Sequence, residues 1–79
     1  MSFNSVSHLK NYISKIVFNN TGWRCNGECL SNACAYSLLN DNKRYKLIEY
    51  AKNTKDNFKD LESNEMRRRF NKFCKSLIN

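Results

Sequence analysis

Proline is absent from this chain of 79 residues, and glycine occurs only twice, at Gly22 and Gly27. A sheet protein of this length would need several tight turns, and tight turns draw on both residues. Their scarcity points instead to helices joined by short loops. No apolar run approaches the ~20 residues that a membrane-spanning helix requires. Histidine occurs once, at His8, and there is no Gly-rich phosphate loop or recognisable nucleophile motif. These absences argue against catalysis, so the expectation is a binding protein and not an enzyme. Acidic residues are few as well, 7 against 14 basic ones, giving a formal net charge of +7.

Apolar residues make up 41% of the chain and aromatics 13%, which is too much for a disordered segment. A single helical domain over residues 1–79 is expected. A core of that size is marginal and often relies on a metal, a disulfide or a partner. Residues 1–18 lack the layout of a secretory leader, because Lys10 and Lys15 fall inside the apolar pattern and not ahead of it. The expected setting is therefore intracellular (cytoplasmic) and reducing.

Hydrophobic periodicity divides the chain. Val6, Leu9, Ile13, Ile16 and Val17 form a stripe that Phe3 and Tyr12 widen, giving a helix over residues 5–17 capped by Ser2 or Ser5. Asn19, Asn20, Thr21 and Gly22 are expected to stop it. The next stretch, GWRCNGECLSNAC, reads as irregular, with Asn26-Gly27 as a tight reversal. Ser31 is expected to cap a two-turn helix over residues 32–39 with Ala33, Cys34, Leu38 and Leu39 inward. Asp41 or Asn42 would cap a third helix from residue 43. Leu47, Tyr50, Ala51, Thr54, Phe58 and Leu61 share one arc, yet Asn53-Thr54 and Asp56-Asn57 are weak helix formers, so residues 43–61 are compatible with one helix or two. The expected fold is all-α: a small bundle of three to four short helices with an irregular Cys-bearing loop after the first.

The last helix, over residues 63–78 with Ser63 as its expected cap, carries the strongest pattern. Met66, Phe70, Phe73, Cys74, Leu77 and Ile78 fall on one face, and Arg68, Lys72 and Lys75 on the opposite one. Arg67 and Arg69 sit at the two edges, where their stems can cover apolar surface while their heads reach water. Five bases against the single Glu65 concentrate positive charge here. Such a line suits a phosphate backbone or an acidic protein surface. Lys43, Arg44 and Lys46 form a second candidate cluster, and Arg24 with Trp23 would extend the surface. Asn71, also placed on the outer side, would reach a base edge. A generic helix-turn-helix is compatible, with the end of segment 43–61 as companion helix joined through Glu62-Ser63-Asn64. That turn lacks the glycine common in the motif.

Cys25, Cys29, Cys34 and Cys74 meet the ligand count of a structural zinc site, with His8 as a spare ligand. Their C-x3-C-x4-C spacing does not match the usual C-x2-C pairs. Free thiols, a zinc site and disulfides are all compatible with the sequence, and no other cofactor is indicated. Two functions follow from the charge pattern. One is a nucleic-acid-binding, regulatory protein acting through the basic face of the last helix. The other is a small adaptor or inhibitor that docks on a larger protein, itself acting on nucleic acid. Oligomeric state is open.

Overall fold

A computed structural model describes residues 2–79. It is all-helical, in the order α1 (Val6–Thr21), α2 (Glu28–Ser37), α3 (Asp41–Lys52), α4 (Thr54–Asn57) and α5 (Ser63–Ile78). α4 is a single turn, so the bundle consists of four true helices and one short connector. α2 lies in the middle, with α5 along one side and α1 and α3 on others, while α4 packs on α1 and α3.

α1 starts as the sequence implies. Ser5 is its cap, and the Ser5 hydroxyl accepts from the His8 backbone N–H at 3.1 Å. Its end lies further on than the Asn-rich stretch suggests. The helix runs through Asn19 and Asn20 and stops only at Gly22, whose φ of 76° is a left-handed conformation that glycine adopts without penalty. Asparagine is tolerated at 20 because its side-chain amide faces three oxygens, the Ala51 and Lys52 carbonyls and the Thr54 hydroxyl, each at 3.3 Å. Tertiary partners here outweigh helix propensity.

The start of α2 departs most from expectation. Asn26-Gly27 makes no hairpin reversal. Gly27 is extended, with φ −81° and ψ 177°, and is the N-cap of a helix that begins at Glu28 and not at 32. Glu28 in the first turn suits the positive end of the helix. Ser31 therefore lies inside the helix, where its hydroxyl accepts from Lys10 of α1 at 2.7 Å. Leu39 falls beyond the end of α2 and is 95% exposed, so it contributes nothing to the core.

α3 is capped one residue earlier than expected, by Asn40, whose side-chain oxygen accepts from the Lys43 N–H at 3.0 Å. Segment 43–61 is interrupted at Asn53, the second of the two alternatives. The Thr54 hydroxyl takes up the Ala51 carbonyl at 2.6 Å, and Asn20 shares it, so that carbonyl is satisfied as the ladder breaks. Asp60, with φ 63°, then turns the chain into α5. Ser63 is the first residue of α5. Its cap is Glu62, without a side-chain hydrogen bond.

One continuous core joins these elements. It includes Leu9, Ile13 and Val17 from α1, Leu30, Ala33 and Cys34 from α2, Leu47 and Ala51 from α3, and Met66, Phe70, Cys74 and Leu77 from α5. Phe70 is its largest fully buried side chain and meets Trp23 and Tyr50 edge-on, at centroid distances of 5.8 and 5.7 Å. Burying one such ring stabilises the fold by about 1.5–3 kcal/mol.

All four cysteines are free thiols. Cys25, Cys34 and Cys74 are buried, and burial pushes their thiols up to about 11, 12 and 12 respectively. Reaction requires the thiolate, so these three are inert in the folded state at neutral pH. Cys29 is half-buried. A timed thiol titration of native protein at pH 8 should show one rapidly modified cysteine, Cys29, and three more only after denaturant is added. Two or more rapid thiols would contradict this packing.

Candidate functional site

α5 carries the candidate surface, and its division into faces follows from what it packs against. Met66, Phe70, Cys74 and Leu77 point into the core, and Phe73 and Ile78 are half-buried beside them. The opposite stripe, Arg68, Lys72 and Lys75, is exposed, as are Arg67 and Arg69 at the edges. Each edge borders its own depression.

On one side lies an open groove of about 460 Å³ lined by Tyr50, Arg68, Arg69, Lys72, Phe73 and Ser76. Its floor includes the rings of Tyr50 and Phe73, stacked at 3.9 Å and 6° from parallel. On the other side a concavity of about 280 Å³ lies between α5 and the loop before α2, lined by Arg67 and Asn71 and by Trp23, Arg24, residues 25–27 and Leu30. Asn71 is thus half-buried beside that loop and does not project from the outer stripe.

The carboxylates decide which cations are available. Glu65 binds two arginines at once: Arg68 in a two-pronged contact at 2.9 and 2.6 Å, and Arg69 at 2.8 Å. These hydrogen bonds hold the Glu65 carboxyl at about 2, well below its ordinary value, and raise Arg68. The i, i+3 and i, i+4 spacing of Glu65 to Arg68 and Arg69 was visible in the sequence and signals this pairing. Arg68 and Arg69 are therefore oriented by Glu65 and partly neutralised by it. Lys72 and Lys75 make no ion pair among the described residues.

The second expected cluster is largely consumed inside the protein. Lys43 donates to the Leu77 carbonyl at the end of α5, at 2.5 Å. Arg44 donates to the Leu38 carbonyl at the end of α2, at 2.8 Å, and pairs with Asp41 at 2.5 Å. Cations at these positions satisfy orphan carbonyls at the negative ends of helices. Of the three, Lys46 alone is fully exposed. Trp23 is half-buried between Phe58 and Phe70, an anchor for the loop with one side on the concavity. Arg24 is exposed and lies over the Phe18 ring at 4.5 Å.

No three His, Cys, Asp or Glu side chains among the described residues are grouped so as to hold a metal ion. The cysteines sit close enough for Cys25, Cys29 and Cys34 to raise Cys74 through space, yet they do not converge as a ligand set. His8 is exposed, and its ring Nδ1 accepts from the Asn4 N–H at 3.3 Å. The two-helix unit of a helix-turn-helix is not formed, because the element before α5 is the single turn α4, which packs on α1 and α3. No described helix is long and apolar enough to cross a membrane.

No protein-family model matches the chain, and neither does any curated protein or solved structure.

The Glu65 pairing has a defined pH window. Its carboxyl is depressed in the folded state, so the pairing is complete above the ordinary carboxylate value of 4.5 and is lost as the pH falls through about 2. A carbon-13 NMR titration of the Glu65 side-chain carboxyl should give a midpoint near 2. In the double variant Arg68→Gln, Arg69→Gln it should return towards 4.5. A midpoint near 4.5 in the parent protein would show that the two arginines do not hold this carboxylate.

Proposed function

We propose that this is a small basic protein that binds nucleic acid through the outer face of α5 and regulates by occupying it, without catalysis. The observation that carries the reading is the exposed line Arg68, Lys72 and Lys75 on a helix whose other face is fixed in the core. These side chains stand at successive turns and lie within reach of consecutive phosphates, the contacts that dominate affinity for nucleic acid. Arg67 and Arg69 widen the line on both sides, and Lys72 and Lys75 have no carboxylate to compete with a phosphate.

A second reading, docking on a larger protein, is favoured by one feature. Tyr36, Leu39 and Tyr45 are 55%, 95% and 65% exposed around the connection between α2 and α3. They lie near one another along the chain, and apolar side chains grouped on a surface are what a protein partner covers.

The two readings separate in one binding series. Fluorescence anisotropy with mixed-sequence DNA and RNA, across a range of salt, should show binding that weakens steeply as salt rises. On duplex DNA the slope of log K against log salt is about −0.9 per phosphate contact. The variant Arg68→Glu, Lys72→Glu, Lys75→Glu should abolish binding with helicity unchanged. The variant Lys52→Glu, Lys55→Glu, Lys59→Glu, with the same change in net charge elsewhere, should bind measurably. Equal loss in both variants would mean that net charge and not α5 is responsible. No binding by the parent at low salt would leave the protein-docking reading in its place.

A further inference from the structure

The groove beside α5 brings together two chemistries that the outer stripe alone does not have. Tyr50 of α3 and Phe73 of α5 both line it, and their rings are stacked at 3.9 Å, 6° from parallel. The other aromatic pairs among the described residues stand tilted or edge-on, at 4.9 to 6.4 Å. Tyr50 also meets the buried rings of Phe58 and Phe70 edge-on, at 6.0 and 5.7 Å, so the stacked pair is anchored to the core. Phe73 has no ring against it other than Tyr50 among the described residues, and both residues are only half-buried. The rest of the lining is Arg68, Arg69, Lys72 and Ser76, with no carboxylate. Glu65 occupies the two arginines, which leaves Lys72 as the one lining cation without an ion pair among the described residues. Arg68 and Lys72 belong to the outer stripe as well, so stripe and groove share a wall.

We propose that the groove takes the base of an unpaired nucleotide against Phe73 and Tyr50, so that the strand lying along α5 is a single strand; this rests on the nucleic-acid reading and names the form of nucleic acid it requires. A nucleotide joins a flat apolar base to an anionic phosphate, and the groove sets ring surface beside an unneutralised lysine in the same way. In a duplex the faces of each base are covered by its neighbours, and only base edges show in the grooves. An unpaired base has free faces, and contact with protein aromatics tolerates any sequence because every base has such a face. Lys72 and Phe73 are adjacent in the chain, so a phosphate held on the stripe has its base within reach of the rings. Charge alone argues the other way. A duplex carries the denser line of phosphates and is favoured by a purely electrostatic surface. Preference for a single strand is therefore the mark of the rings.

The test uses the full chain and one mixed-sequence DNA strand in three forms at the same low salt: single-stranded, paired with its complement, and abasic throughout with its phosphates kept. The single strand should bind about tenfold tighter than either of the others, the size of one base–aromatic contact. Phe73→Leu keeps an apolar side chain at a half-buried position and should lower single-strand affinity to the duplex level, with duplex affinity unchanged. A misfolded variant would lose both. Phe73→Tyr should retain the preference. On the parent protein, the Phe73 ring-proton NMR signals should move with the single strand and stay still with the abasic one, a readout that needs no variant to fold. Equal binding of all three forms, with the ring signals unmoved, would overturn the groove and leave the α5 reading standing. A single-strand preference that survives Phe73→Leu would put the base elsewhere and overturn the groove too. No binding of any form would overturn the α5 reading and this inference with it.

Discussion

The contact between α5 and α2 fixes almost everything else about this protein. The buried side of α2 is made of Leu30 and three small residues, Ala33, Cys34 and Ser37. Small side chains at a helix contact allow close packing, and α5 packs chiefly on α2. That close approach demands that α5 turn Phe70, Cys74 and Leu77 inward, and it leaves no freedom to rotate about its axis. The outward direction of Arg68, Lys72 and Lys75 is therefore a consequence of core packing. A loosely docked helix would present no defined line of charge. Here the same residues that make a marginally sized domain fold also aim its cations.

The net charge of +7 is not spread evenly in effect, because much of it is used within the fold. Lys10 reaches Ser31, Lys43 reaches the last turn of α5, Arg44 ties the end of α2 to Asp41, and Glu65 gathers two arginines. These contacts bridge elements or close helix ends, and they take their cations out of competition for an external anion. Lys72 and Lys75 on the outer stripe of α5, and Arg24 and Arg67 beside the neighbouring concavity, are not taken up by a carboxylate among the described residues, and neither are Lys15, Lys46, Lys55 and Lys59 elsewhere on the surface. Tyr50, Phe73 and Trp23 lie beside α5, so apolar surface is available next to its cations.

The sequence revealed helical class and the faces of α5 because both follow from local periodicity. Boundaries failed where a distant partner decided the outcome. Asn19 and Asn20 read as a stop, yet Asn20 is satisfied by carbonyls of α3, more than thirty residues away. Asn26-Gly27 read as a hairpin turn, yet the Ser14 hydroxyl donates to the Cys25 carbonyl at 2.6 Å and holds the loop extended along α1. Lys43 and Arg44 read as surface cations, and nothing local shows that Lys43 caps a helix 34 positions later. Asn71 reads as outward-facing from helical spacing alone, and the loop that lies beside it comes from another part of the chain. That Arg24 and Arg67 line one concavity is not legible for the same reason.

The central claim is that the fixed outer face of α5 is where the protein meets its partner. Amide chemical-shift mapping by NMR tests it most directly, with a short oligonucleotide added stepwise at low salt. The account predicts perturbations concentrated over residues 67–75 and the loop at 23–27, with the α1 core positions Leu9, Ile13 and Val17 unmoved. Perturbations centred on residues 36–45, or none at all, would contradict it.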